Sequence, residues 1–140
     1  MHEVFSDAID RLSNGEKVVV ATVVRTKGST PQKPGAKLLV REDGSGAGTL
    51  GGGCVEGDIW FAAKQLMEDG GGTEYREYEL NEDLAADDGL VCGGTMYFLI
   101  DPVYSPDSYL PYASEIYKAY SGEGAVALAT VVKSGNVGDS

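Results

Sequence analysis

The sequence has few of the residues from which metal sites and disulfide scaffolds are built. Its 140 residues include two cysteines, Cys54 and Cys92, and one histidine, His2. These are too few for the disulfide framework of a small secreted domain or for a Cys/His zinc site. No apolar run approaches the roughly 20 residues that span a bilayer, and the first residues lack a signal-peptide pattern. We therefore expect a single cytoplasmic domain over residues 1–140, with no membrane partner.

Basic residues are also scarce. Eleven Lys and Arg face 22 Asp and Glu, which gives a net charge of −11. This balance argues against a nucleic-acid partner, because binding a phosphate backbone needs a basic face. Residues 25–41 are the exception, with five basic residues and no acidic one. A basic island in an acidic protein favours a small anionic ligand, although solvated Lys and Arg flanking a hairpin would give the same pattern.

The order of apolar patterns predicts an α/β fold in which a mixed β-sheet is flanked by helices. Helical spacing predicts helices over residues 2–13, 54–69 and about 107–120. Apolar or alternating runs predict strands over residues 17–25, 36–43, 73–80, 96–100 and 125–133, with an acidic loop over 81–89.

A short internal repeat accompanies this order. Ala21-Thr22-Val23-Val24-Arg25 returns as Ala129-Thr130-Val131-Val132-Lys133, and each copy follows a predicted helix and a Gly-Glu turn. The repeat predicts two helix–strand units of one kind, of which the second begins near residue 124 and is cut short. A chance match between β-branched runs is the alternative. The end near residue 133 also favours a homodimer.

The motif TLGGGCVEGDIW carries the strongest chemical signal. Gly51, Gly52 and Gly53 lead into the predicted helix, where glycine allows close backbone approach and the first turn offers unpaired N–H groups to an anion. Cys54 stands at the helix start, where a thiolate is favoured. Glu56 is placed to orient a polar group or to cap backbone N–H groups. The alternatives are a flexible glycine loop and an inert buried cysteine.

Two further segments complete the candidate site. Cys92 precedes Gly93 and Gly94, so that both cysteines lie in glycine turns beside strands; brought together, they would form one soft, exposed site. The loop GSTPQKPGAK offers hydroxyl groups and cations that suit an anionic ligand, unless it is a purely structural hairpin. Its candidate residues are Ser29, Thr30, Lys33 and Lys37.

Three strings in this order resemble the xanthine dehydrogenase accessory family of the XdhC/CoxI type. They are ATVVRTKGSTPQKPGAKLLV, TLGGGCVEGDIW and GLVCGGTMYFLID, which together span about residues 17–102. The combination is much more specific than any one motif. Gln32 departs from the family pattern, which commonly has Arg there. The C-terminal Rossmann domain of longer members has no counterpart in this sequence.

The resemblance implies an accessory protein rather than an enzyme. Such proteins bind the molybdenum cofactor as cargo, as molybdopterin or its dinucleotide, while a cysteine desulfurase supplies its terminal sulfide. They then pass it to the apo-form of a molybdenum hydroxylase such as xanthine or carbon monoxide dehydrogenase. In this interpretation the three glycines contact phosphate, Lys33 and Lys37 neutralise charge, and Cys54 and Cys92 contact the metal or sulfur end. Ser29 and Thr30 are secondary candidates.

Two other classes of function stay open from the sequence. A thiol-redox protein would use a reversible Cys54–Cys92 disulfide. A regulatory module would dock onto a partner through the tyrosine-rich helix near residues 107–120.

Overall fold

The computed structural model describes residues 2–80 and 93–132. Its helices are α1 (His2–Ser13), α2 (Gly53–Asp69) and α3 (Leu110–Tyr120), with a short 3-10 helix at Pro106–Ser108. Its strands are β1 (Val18–Lys27), β2 (Lys37–Arg41), β3 (Gly46–Gly48), β4 (Glu74–Glu79) and β5 (Thr95–Val103). The predicted helices are thus confirmed to within a few residues, while the predicted acidic loop 81–89 lies outside the described residues.

The five strands form one sheet in the order β3-β2-β1-β5-β4, and every pairing among them is antiparallel. The α/β class with flanking helices is confirmed, but the described part of the sheet is not mixed. The reason is the path of α2, which joins β3 at one edge to β4 at the other. No neighbouring strands are therefore linked by the helical crossover that a parallel pair requires.

Helices cover both faces of this sheet, so its central strand is buried on both sides. On one face α2 packs over Val19, Ala21 and Val23 of β1 and over the inward residues of β2 and β5. On the other face α1 and α3 enclose Val18 and Val20. The continuous apolar run of β1 reflects this double burial. None of the helices in the two described ranges is long and apolar enough to cross a membrane.

Glycines set both ends of α2. Gly52 precedes the helix with φ 77°, and Gly70 ends it in the left-handed conformation with φ 67°. Side chains with a Cβ rarely adopt these angles, so the glycines place the helix boundaries. Between them, an apolar stripe turns toward the sheet and is buried; it consists of Val55, Ile59, Ala62, Ala63, Leu66 and Met67.

The prediction of a buried strand at 125–133 was wrong over residues 125–132, which form no strand. Residues 125–131 are exposed, and Val131 is 94% exposed. A β-branched sequence favours a strand only where neighbouring strands accept its hydrogen bonds. No described strand pairs with this segment, and Lys133 lies outside the described residues.

Candidate functional site

Three backbone segments meet beside the start of α2. They are the loop after β1 (residues 28–36), the glycine loop between β3 and α2 (residues 49–52), and Gly93–Gly94 before β5. A Cβ added to Gly94 would lie 2.8 Å from Thr30 Cγ2 and still closer to the carbonyl oxygens of Ser29 and Lys27. A Cβ added to Gly51 would lie 2.7 Å from Pro31 Cβ. Glycine at these two positions therefore lets the segments pack in direct contact.

The glycine loop is held by a carboxylate. Glu56 Oε1 accepts hydrogen bonds from the Thr49 hydroxyl at 2.6 Å, the Leu50 N–H at 2.7 Å and the Gly52 N–H at 3.4 Å. Burial of Glu56 opposes its ionisation, but the three hydrogen bonds outweigh that effect and lower its pKa. The carboxylate is thus the anion that the loop already binds.

The turn into α2 is open on its outer side. Gly51, Gly52 and Gly53 all have positive φ, at 108°, 77° and 69°. A Cβ at Gly52 or Gly53 would meet nothing within 4 Å, so conformation and not crowding calls for glycine there. No side-chain hydrogen bond caps the first turn of the helix. A ligand can therefore approach this backbone closely, where the positive end of the helix dipole favours an anion.

Cys54 lies in this first turn and is exposed with a free thiol. Two polar side chains lie beside it. The Tyr78 hydroxyl donates a 2.8 Å hydrogen bond to Asp58 Oδ2, one helical turn after Cys54. This bond, together with burial and the nearby Asp58 and Cys54 charges, raises the pKa of Tyr78 to about 12. The inert, buried cysteine considered from the sequence is therefore wrong for Cys54.

β4 reaches the same place from the far edge of the sheet. The Leu80 N–H, just after β4, donates a 2.9 Å hydrogen bond to the carbonyl oxygen of Gly94. This bond extends the β4–β5 pairing to the position where Gly94 packs against the loop after β1. The Cys54 side of α2, the ends of β4 and β1, and the start of β5 thus border one surface.

This arrangement of a β1 loop, a triple-glycine turn and a helix that begins at cysteine coincides with a known sequence family. The model of the XdhC and CoxI family matches residues 11–79. Residues 11–79 belong to the XdhC and CoxI family. The match contains the β1 loop, the glycine loop, all of α2 and β4.

Relatives of this XdhC and CoxI region are longer than the chain. It is 37% identical over 87 residues to the molybdenum cofactor insertion chaperone PaoD of Escherichia coli (strain K12), covering 62% of this chain and 27% of that protein. It is 33% identical over 82 residues to a probable xanthine dehydrogenase subunit from Bacillus subtilis (strain 168), covering 59% and 23%. The chain thus spans about a quarter of the length of these curated relatives.

The fold is also that of a solved relative. A crystal structure of a xanthine dehydrogenase from Bacillus halodurans superposes with a TM-score of 0.61 at 26% identity. The superposition covers 84% of this chain and 35% of that one. The XdhC and CoxI region therefore has the same antiparallel sheet and helices in a longer protein.

The structure brings most of the predicted site residues of this XdhC and CoxI region together. Ser29, Thr30 and Gly94 pack as one unit, and Gly93 lies next to them. Lys33 is exposed in the same loop, immediately after Gln32, whose Cγ would lie 3.4 Å from a Cβ on Gly51. Glu56 stabilises the glycine loop from within. Cys92 lies outside the described residues, so its approach to Cys54 stays a prediction.

Lys37 is placed elsewhere. It lies in β2 on the sheet face that α1 and α3 cover, where its ammonium group donates a 2.9 Å hydrogen bond to Thr22 Oγ1. Burial lowers the pKa of Lys37, although the charge of Asp101 opposes the shift. The strand alternation that buries Leu38 under α2 turns Lys37 to the opposite face. The sheet therefore separates its side chain from Cys54.

Tyr78 and Asp58 were missed from the sequence. Asp58 stands four residues after Cys54 on the predicted helix, so helical spacing alone could have placed it beside the thiol. Tyr78 could not be found that way, because its proximity depends on the pairing of β4 with β5. No group of three or more His, Cys, Asp or Glu side chains suited to a metal ion occurs within residues 2–80 and 93–132.

Proposed function

We propose that this chain is an accessory protein of molybdenum hydroxylases that binds the molybdenum cofactor as cargo and assists its insertion into the apo-enzyme. One observation carries the proposal: an exposed thiol stands at the uncapped start of α2, next to glycine backbone with open space above it. Thiolate and backbone N–H groups match the two ends of this cargo, a soft metal–sulfur centre and a phosphate or pyrophosphate. The name of the Escherichia coli relative supports the same role.

The phosphate end would bind at the first turn of α2. The N–H of Gly51 already donates to Thr49 Oγ1 at 3.0 Å, and that of Gly52 donates to Glu56. The donors of the next residues, from Gly53 onward, are therefore the better anion contacts, which refines the role expected for all three glycines. Lys33 in the facing loop would offset the repulsion between the phosphate and the Glu56 carboxylate.

The metal–sulfur end would lie over Cys54. A thiolate is a soft ligand that suits molybdenum and sulfide chemistry, and Asp58 and Tyr78 would orient polar groups beside it. Cys92 would complete this contact, because Gly93 and Gly94 follow it directly and lie against the β1 loop. Lys37, on the other sheet face, is left out of the proposed contact.

The partners follow from the same cargo. A molybdenum hydroxylase apo-enzyme would receive the cofactor, and a cysteine desulfurase would supply its sulfide, both in the cytoplasm. The role is that of a carrier, so the chain's residues bind and shield the cargo and no residue is assigned a catalytic step.

The test is binding of the isolated cofactor. We would mix the purified chain with molybdenum cofactor without oxygen and measure molybdenum that co-elutes with protein. We expect stoichiometric binding by the wild type, strong loss in Cys54→Ser, and weaker binding in Lys33→Gln. Lys64→Gln, an exposed charge loss elsewhere, is the matched control and should bind as the wild type does.

The design separates the cargo from its site. Absence of molybdenum from the wild-type peak would overturn cofactor binding by this chain. Normal binding by Cys54→Ser and by Lys33→Gln would keep the carrier role and reject this site. Activation of a purified apo-hydroxylase by the loaded chain then tests insertion.

A further inference from the structure

The repeated sequence has two different environments in one chain. In β1, Ala21 and Val23 are fully buried between two strands. Their counterparts Ala129 and Val131 are exposed, and Val131 is 94% exposed. The same side chains that form the central strand therefore lie unpaired in the 125–132 segment.

The body of the protein does not bury this segment. A cleft of about 660 Å³ lies between it and a surface formed by Phe5, Val24 and Ile116. Val126 and Leu128 keep 47% and 46% of their surface exposed. The segment has neither a charged residue nor a proline, and these are the usual devices that protect an unpaired strand from another chain.

The charges at its two ends identify the partner. Glu123 precedes the segment and Lys133 follows it in the sequence, each five residues from Leu128. Two copies paired antiparallel about Leu128 would place Glu123 of each copy opposite Lys133 of the other. A parallel pairing in register would place like charges opposite each other, which is unfavourable. The segment is thus complementary to itself in one orientation.

We propose that two copies of this chain associate through their 125–132 segments, which pair as antiparallel strands about a two-fold axis centred at Leu128. Pairing supplies the backbone hydrogen bonds that the segment lacks, and it covers the exposed valines in both copies at once. Such an interface is isologous and closes at the dimer. This association is independent of the proposed carrier function, since Cys54 lies on α2 across the sheet.

The first experiment measures mass in solution as a function of concentration by sedimentation or light scattering. The wild type should be a dimer that dissociates on dilution. Val131→Lys should be monomeric with an unchanged circular dichroism spectrum, because that side chain is exposed in the monomer. Phe61→Lys, a 65% exposed position on α2, is the matched control and should dimerise as the wild type does.

The second experiment tests register in a Cys54→Ser, Cys92→Ser background. Leu128→Cys should form a disulfide-linked dimer on mild oxidation, because this residue meets its own copy at the two-fold axis. Val132→Cys should not, because the two copies of residue 132 would lie eight positions apart. Glu123→Lys should weaken the dimer roughly tenfold, and adding Lys133→Glu should restore it.

Two results would overturn the proposal. A wild type that stays monomeric up to high concentration would mean that another partner or another part of a polypeptide covers the segment. A dimer that persists in Val131→Lys, or that cross-links equally at residues 128 and 132, would place the interface elsewhere.

Discussion

Glu56 offers the most direct test of how the glycine loop is held. In Glu56→Gln the side chain keeps its size but loses the charge that strengthens its bonds to Thr49 and Leu50, at 2.6 and 2.7 Å. A hydrogen bond to a charged acceptor contributes about 1 kcal/mol more than one to a neutral acceptor. Because Glu56 is only half-buried, part of this difference is lost to solvent. We expect the free energy of unfolding to fall by about 1 kcal/mol.

The pH dependence gives a second signature of the same bonds. The pKa of Glu56 lies below its ordinary value of 4.5 in the folded chain, so the folded state favours the charged form. This contribution is complete above the unfolded value and fades as the pH falls through the lowered folded value. The stability gap between wild type and Glu56→Gln should therefore be full at neutral pH and shrink below pH 4.5.

The assay is urea unfolding followed by circular dichroism at several pH values. Glu115→Gln is the control, because its carboxylate is 64% exposed and lies 3.6 Å from Lys118 on the surface of α3. It should change stability by less than about 0.5 kcal/mol. A Glu56→Gln variant as stable as the wild type at neutral pH would refute the role given to this carboxylate, as would a gap independent of pH.

Two further predictions concern the packing and polarity around the loop. Gly94→Ala should lower stability by about 2 kcal/mol or more, since its Cβ would overlap the Lys27 and Ser29 carbonyl oxygens; a denaturation midpoint equal to that of Gly72→Ala, where a Cβ meets nothing, would contradict this. Asp58→Asn should lower the pKa of Tyr78 from about 12 toward its ordinary value of 10.0, because the carboxylate acceptor is gone; an unchanged phenol titration, assigned with Tyr78→Phe, would show that the hydrogen bond is absent in solution.

Local patterns predicted most of the elements. The helical stripe of α2, its glycine stop and the apolar run of β1 are properties of neighbouring residues, and the structure has them where the sequence places them. The glycine loop, Cys54 and the β1 loop were likewise recognisable, because positive φ and an exposed helix start leave a signature in residue type.

The pairing of elements was decided by the tertiary structure. A mixed sheet was expected from alternating helices and strands, but α2 crosses from edge strand to edge strand and leaves only antiparallel neighbours among the described strands. Lys37 was assigned to the anion site from its place in the chain, and strand alternation turned it to the opposite face. Tyr78 reaches Asp58 only because β4 pairs with β5.

The two copies of the repeat separate these contributions. The sequence determines that residues 18–25 and 125–132 both favour an extended, β-branched strand. Only the surrounding structure decides that the first is the centre of a sheet and that the second is unpaired and exposed. The physical reason is that a strand's hydrogen bonds and buried faces belong to its neighbours, which no local sequence pattern specifies.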